Sequence, residues 1–239
     1  MTRAPGRRLD DPPLPGAENM ARDEALLATR CIPTLRFYRW EQPTVSLGYF
    51  QAAADLPLDA LRARGMAVVR RDTGGKAILH DRELTYSLCA PASGALGGGP
   101  AAAMRTIHEA LATELARQAG KEVAIREQHT LQSDRAGSAW CFEDSSSLDL
   151  VLDGRKLVGS AARRRGGWIL FHGSLVVEAP AETPGIAAWG REPDRDALCT
   201  ALGEALGYEF ATGDWAAEEQ AEAARVAGRH AQPAFIARR

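Results

Sequence analysis

A chain of 239 residues, 45% hydrophobic and 25% charged, is long enough to bury the core of one large domain or two small ones. Its formal net charge of −2 argues against a general nucleic-acid binder, which is usually basic. The four cysteines (Cys31, Cys89, Cys141, Cys199) form no CxxC pair, which argues against a cysteine zinc site and, at this length, a disulfide scaffold; reduced thiols, no metal site and a cytoplasmic setting are expected.

Residues 1–15 hold four prolines and several arginines and read as a flexible leader, with 16–239 as one domain. No signal-peptide run opens the chain and no stretch reaches the ~18–20 apolar residues of a membrane span, so neither membrane nor nucleic acid is expected among its partners. Met20, Leu26 and Leu27 among Glu18, Asp23 and Glu24 predict an amphipathic helix ending near Arg30. Strands are predicted at Leu35–Trp40, Pro43–Tyr49, Met66–Arg70, Ala77–Leu79 and Leu84–Leu88, with a short helix at Leu56–Arg64. That spacing points to a meandering, largely antiparallel sheet. Gly- and Ala-rich Ser93–Ala103 reads as a mobile loop. Met104, Ile107, Leu111 and Leu115 then mark a helix that should cover one sheet face. A second β region runs from Leu148 to Val177, with turns at Asp153-Gly154 and Gly166-Gly167. Leu198, Leu202 and Leu206 mark a helix ended by Gly207, and an Ala/Glu-rich helix begins at Asp214.

Two segments carry chemistry. In V-R-R-D-T-G-G-K-A-I-L-H-D-R-E-L-T-Y-S, from Val69 to Ser87, paired glycines between two β runs let backbone approach a ligand closely. Arg70, Arg71 and Lys76 set cations beside them, and His80 and Asp81 close the next strand. The spacing is not that of a P-loop. On these residues alone, a tight hairpin explains the glycines as well as a ligand site does, and a lone His80 suits a structural role. The second segment, Trp140 to Ser174, places Cys141 in a loop and Lys156 on a following strand. A free thiol ionises near pH 8.5 and a neighbouring cation lowers that value, so an activated nucleophile fits; a buried, inert cysteine fits too.

Taken in order, these segments resemble the lipoate-protein ligase and octanoyltransferase family, which shares a catalytic fold with the biotin protein ligases. The resemblance covers roughly 16–178. It rests on G-A-E-N-M-A-R-D-E-A-L-L from Gly16, R-F-Y-R-W-E-Q-P-T-V-S-L-G-Y-F-Q from Arg36, R-R-D-T-G-G-K-A-I-L-H-D from Arg70, G-R-K-L-V-G-S-A from Gly154 and F-H-G-S-L from Phe171. It implies an α+β fold, a mixed, largely antiparallel sheet flanked by helices, like class II aminoacyl-tRNA synthetases. It implies Cys141 as nucleophile and Lys156 as its partner, acting either as a cation or as a neutral base. Arg71, Gly74, Gly75 and His80 would border an acyl pocket, Gly159 and Ser160 would line its other side, and His172 would also contact substrate. Ala162 departs from the family's usual glutamine.

Arg82-Glu83-Leu84-Thr85-Tyr86-Ser87 replaces the G-N-x-N type sequence of ligases, and Cys141-Phe142 falls where cysteine-dependent octanoyltransferases place their nucleophile. The resemblance therefore implies an octanoyltransferase that needs no cofactor. It would move an octanoyl or lipoyl group from an acyl carrier protein thioester to a lysine of a lipoyl domain or glycine-cleavage H protein. The alternatives are an ATP- and Mg2+-dependent ligase forming lipoyl-AMP, or a non-catalytic protein that binds lipoyl domains or acyl carriers. Arg163, Arg164 and Arg165 suit an acidic carrier, though a solvated turn explains them better. His108, His129 and His230 read as structural or surface residues, and Cys31, Cys89 and Cys199 as small apolar packing groups.

Overall fold

Apolar and polar side chains alternate along the central strands, and both halves of the alternation are buried. The computed structural model describes residues 2–131, 134–135, 137–143 and 146–238. In chain order its elements are β1 (Ala4–Leu14), α1 (Gly16–Thr29), β2 (Thr34–Trp40), β3 (Thr44–Leu47), α2 (Leu58–Ala63), β4 (Ala67–Arg70), β5 (Ile78–His80), β6 (Glu83–Pro91), α3 (Pro100–Ala119), β7 (Val123–Ile125), β8 (Leu150–Leu152), β9 (Arg155–Arg165), β10 (Trp168–Val176), α4 (Arg195–Leu206), β11 (Tyr208–Thr212), α5 (Ala217–Val226) and α6 (Pro233–Ile236). The large sheet runs β11-β1-β2-β6-β10-β9-β8-β7, and a small one runs β4-β3-β5. The β11-β1, β1-β2 and β3-β4 pairs are parallel; the other pairs are antiparallel. This is the expected α+β, mixed and largely antiparallel architecture.

One face of the large sheet is apolar. Leu35, Phe37, Leu84, Tyr86, Leu88, Ile169 and Phe171 meet Ile107, Leu111 and Leu115 of α3 and Leu198 and Leu202 of α4. Proline at the first turn of α3 and left-handed Gly120 after its last explain why the helix starts and stops there. The opposite face carries Arg36, Tyr38, Glu83, Thr85, Ser87, His172 and Ser174, all buried. Helix α1 answers these charges with its own. Arg36 donates to Asp11 at 2.6 Å, Asp23 at 2.8 Å and the Asn19 side chain at 2.7 Å, while the Tyr38 hydroxyl donates to Asp23 at 2.9 Å. Burial works against the Asp23 carboxylate, but Arg36 and then His172 outweigh it and hold Asp23 below the usual carboxylate value.

Several expectations change. Residues 4–14 are not a flexible leader: β1 pairs with β2 on one side and β11 on the other. The register shifts between Asp10 and Pro13, so the missing N–H of Pro12 breaks no regular ladder, while Pro5 and Pro13 stand opposite Glu209 and Arg39. Leu9 is buried, and Arg7 pairs with Glu219 at 2.5 Å. Within the expected Ser93–Ala103 loop, Leu96 is buried and α3 already begins at Pro100. Strands β7 and β11 were not foreseen. The last long helix starts at Ala217 instead of Asp214. Cys89 and Cys199 pack in apolar clusters, but Cys31 is exposed and its thiol donates to Glu218 at 2.7 Å. The turns at Asp153-Gly154 and Gly166-Gly167 join β8 to β9 and β9 to β10. Among the described residues, no helix is long and apolar enough to cross a membrane.

Deleting residues 2–14 checks the role of β1. Losing Asp11 leaves Arg36 short of a buried partner, so stability should fall by about 3 kcal/mol or more and Tm by roughly 10 °C. A thermal melt unchanged by the deletion would return this segment to the status of a leader.

Candidate active site

Lys156 enters the interior one residue after a tight hairpin. Asp153 and Gly154 both have positive φ, 50° and 72°, the backbone of a two-residue turn that matches strand twist. The Lys156 side chain is fully buried. Its Nζ lies 2.7 Å from Asp149 Oδ2, 2.8 Å from the Cys141 carbonyl oxygen and 3.4 Å from Cys141 Sγ, with the Phe142 ring centroid 4.7 Å away. Burial disfavours the ammonium, but Asp149 and then Cys141 more than compensate and hold Lys156 above the ordinary lysine value. Gly159 makes room for it: a Cβ there would stand 2.7 Å from Lys156 Cε and 2.8 Å from Nζ.

Cys141 is half-buried against Ile78, Phe142, Val176 and Ile186. Its loop is fastened to the segment that leads from the paired glycines into β5. The Cys141 amide donates to the Ala77 carbonyl at 2.8 Å, the Ala77 amide to Ala139 at 3.1 Å, and Gln51 Nε2 to Ala139 at 3.0 Å. Lys76 Nζ donates to the Ser138 carbonyl. The glycine segment and the cysteine loop are therefore built as one unit.

Beneath the glycines lies Arg71, buried, with Nη2 donating to the Gly74 and Lys76 carbonyls at 2.7 Å each and Nη1 to the Ser46 carbonyl at 2.8 Å. Burial brings its guanidinium down to about 10, and Cys141 heads the charges that oppose the fall; it stays a cation at neutral pH. Gly75 has φ of +90°, and the Gly75 carbonyl fills the space a Cβ at Gly48 would need. Among the described residues beyond its chain neighbours, none comes within 4 Å of a Cβ built on Gly74. His172 reaches the same segment, with Nε2 2.6 Å from Thr73 Oγ1 and Nδ1 3.3 Å from Asp23. His80 is held within the polar face. Its Nε2 meets Ser46 Oγ at 2.7 Å, its Nδ1 meets Glu83 at 2.8 Å, and its ring stacks on Trp40 with centroids 3.9 Å apart.

The geometry thus brings Cys141, Lys156 and Gly159 together, with Arg71, Gly74, Gly75 and His172 close by. Ser160 turns to the α3 face instead, where its hydroxyl lies 2.7 Å from both Tyr86 OH and His108 Nε2. One residue of the site escaped the sequence reading, and the structural role expected of His108 takes a definite form. Asp149 is the partner of Lys156, but an acid seven positions before a lysine carries no signal by itself. His108 has both ring nitrogens engaged, one by Ser160 and the other by the Leu148 carbonyl, so it ties α3 to the segment that presents Asp149. Of the other histidines, His230 is buried and His129 exposed.

Residues 15–185 match the model of the lipoyl protein ligase A/B catalytic domain. The chain is 44% identical over 172 residues to the octanoyltransferase LipM of Moorella thermoacetica, covering 66% of this chain and 60% of that protein. It is 39% identical over 194 residues to the octanoyltransferase LipM of Geobacillus kaustophilus, covering 76% of this chain and 69% of that one. It therefore spans about 60–69% of the length of these relatives. Among solved structures it resembles a putative lipoate protein ligase from T. acidophilum with bound lipoic acid, at a TM-score of 0.81 and 24% identity, over 98% of this chain and 99% of that one. It also resembles a lipoate-protein ligase A bound with ATP, at a TM-score of 0.79 and 24% identity, over 98% of each chain. Those two likenesses establish the shared fold.

Two outcomes follow from this geometry. Gly159→Ala should displace the Lys156 amine and lower Cys141 reactivity toward iodoacetamide severalfold, at a stability cost of about 1–3 kcal/mol; unchanged labelling would show that the close packing is immaterial. Burial holds His108 and His172 below the ordinary histidine value of 6.5. Below pH 6.5 the unfolded chain therefore binds more protons than the folded one. Their contribution is complete above that pH and is lost as pH falls through the folded values. Urea midpoints should drop between pH 7 and 5, with uptake of up to about two protons on unfolding beyond that of the other groups; His108→Gln should remove about one of them and flatten the slope in part.

Proposed function

This chain belongs to the lipoyl protein ligase A/B catalytic domain family, and from that footing we propose that it is an octanoyltransferase of protein lipoylation that works through Cys141. The observation that carries the reading is the buried Lys156 ammonium donating to both the carbonyl and the sulfur of Cys141. The likeness to the LipM octanoyltransferases, 39–44% identical in the two compared, supports it independently.

In the first half-reaction the Cys141 thiolate attacks the thioester carbonyl of an octanoylated acyl carrier protein, and the carrier thiol leaves. One thioester replaces another, so the step is nearly balanced and needs no ATP or other cofactor. In the second, the amine of a lipoyl-domain lysine attacks the octanoyl-Cys141 thioester and an amide forms, which makes the transfer downhill. Covalent catalysis splits the reaction into two lower barriers. Lys156 stabilises the thiolate, and its donors face the carbonyl oxygen as negative charge develops there.

Arg71 fixes the shape of the glycine segment, so that Gly74 and Gly75 border the acyl chain with little side-chain bulk. Gly159 and His172 flank it. His80 acts from behind, through Ser46 and Arg71, and Ser160 from the helix face through the position of β9. Burial of six methylenes at about 0.8 kcal/mol each supplies roughly 5 kcal/mol, enough to hold an octanoyl chain largely by its apolar surface. A lipoyl group would fit the same chemistry, and a lipoylated or octanoylated H protein would serve as donor in place of a carrier protein. Free cysteines suit a reducing cytoplasm.

The test is to incubate the protein with octanoyl carrier protein in the absence of ATP and measure its intact mass. One octanoyl adduct should form, vanish in Cys141→Ser, and discharge onto an added lipoyl domain; Lys156→Ala should slow discharge by about a hundredfold or more, the scale of one lost transition-state donor. Acylation that occurs only from free octanoate or lipoate with ATP would replace this reading with a ligase. Capture of a lipoyl domain without turnover from either donor would leave a binding protein.

A further inference from the structure

We propose that Asp149 is a positioning residue that locks Lys156 in its ammonium form, so that Lys156 serves the reaction as a fixed donor and not as its base. The inference deepens the octanoyltransferase reading and rests on it for the acyl group and its passage through Cys141, whereas the charge state of Lys156 is read independently.

Hydrogen-bond capacity carries the argument. An ammonium has three N–H donors and no lone pair, whereas a neutral amine has two donors and one lone pair. Three acceptors stand around Lys156 Nζ: the Asp149 carboxylate at 2.7 Å, the Cys141 carbonyl at 2.8 Å and Cys141 Sγ at 3.4 Å. Deprotonation would turn a lone pair toward one of them. It would also leave Asp149, whose side chain is 3% exposed, as a buried charge without a counter-ion, which is costly.

The carboxylate is itself held. The Ser146 amide donates to Asp149 Oδ2 at 2.6 Å, the Arg126 amide donates to the Asp149 carbonyl at 2.8 Å, and His108 engages the adjacent Leu148 carbonyl. Among the described residues, the charged and titratable groups facing Lys156 are therefore Asp149 before β8, Cys141 from its loop and His108 from α3, with Arg71 beyond the thiol; the Phe142 ring adds a further attraction.

Composition points the same way. Lys76, Lys121 and Lys156 are the only lysines in a chain with 29 basic residues. At 156 the compact ammonium suits the slot, since even one carbon added at Gly159 would crowd it.

The consequence for the second half-reaction is specific. The acceptor lysine must arrive as a neutral amine, because Lys156 has no lone pair with which to take its proton. The amine nitrogen forms the C–N bond, the C–S bond breaks, and the surplus proton of the nitrogen ends on the Cys141 sulfur, giving an amide and a free thiol. The Lys156 donor on Sγ, the longest of the three, turns to the oxyanion while the tetrahedral species exists.

The test uses the full chain with lysine 13C-labelled at Cε, so that three resonances are assigned with Lys76→Arg and Lys121→Arg. Lys156 should keep the ammonium shift through pH 10.5, the ordinary lysine value; a midpoint below it overturns the proposal. In Asp149→Asn the Lys156 midpoint should fall by a unit or more, and the alkaline limb of acyl transfer should fall with it, so that between the two limbs transfer drops about tenfold for each unit of pH above the lowered midpoint; Asp149→Glu should restore both. An Asp149→Asn protein with Lys156 midpoint and pH profile unmoved overturns the proposal. Should that variant not fold, the wild-type titration decides alone. Should the chain transfer no octanoyl group, the titration still reads Lys156, so the two failures are distinct.

Discussion

A charge taken out of water must find a partner, and one face of the central strands is built from such charges. The idealised cost of burying an unpaired ion is many kcal/mol, and even after relaxation it is several. Arg36 on β2 therefore draws in Asp11 from β1 and Asp23 from α1. Asp23 in turn accepts from Tyr38 and faces His172 on β10, and His172 reaches Thr73 in the glycine segment. An unbroken path of paired polar groups thus runs from the sheet to the backbone fastened to the Cys141 loop. The glycine segment owes its shape to that neutralisation as much as to its own flexibility.

The same requirement recruits the end of the chain. Arg70, buried at the end of β4, donates to the carbonyls of Phe235 and Ile236 as well as those of Gly48 and Gln51. His230 faces the Arg70 carbonyl at 2.7 Å and Glu24 at 3.0 Å, and Arg229 pairs with Glu24 and Asp72. From the opposite side Arg163 donates to the Asp72 carbonyl at 2.8 Å and lies over the Tyr49 ring. Of the arginine triplet, Arg163 is thus drawn inward, whereas Arg164 and Arg165 are exposed at the β9–β10 turn.

How much of this was readable in the sequence depends on the range over which each feature is encoded. The α3 stripe and the Asp153-Gly154 turn are local, and both lie where their patterns place them. The ordered motifs around Gly74-Gly75, Lys156 and His172 were enough to suggest a family and thereby to pair Cys141 with Lys156. Strand β1 was hidden because its prolines argue for disorder while its pairing partner β11 lies some 200 residues away. Asp149 was hidden for a related reason: it is one of 31 acidic residues, and only the folded hairpin reveals which of them faces Lys156. Ser160 shows the limit of motif transfer, since the strand's alternation turns its hydroxyl to Tyr86 and His108 while neighbouring Gly159 faces the lysine.

Strand β1 sits between β2 and β11, and so its two hydrogen-bonding edges are completed at very different times during synthesis. The edge toward β2 can close once some 40 residues have emerged, but the edge toward β11 stays unsatisfied until residues 208–212 leave the ribosome. Arg70 waits longer still, for carbonyls at 235 and 236. Such late, distant contacts make folding slow and leave an open strand edge in the meantime. The large sheet therefore stays incomplete until residues 208–212 have been made, and the segment from 208 to 236 acts as its closing stitch.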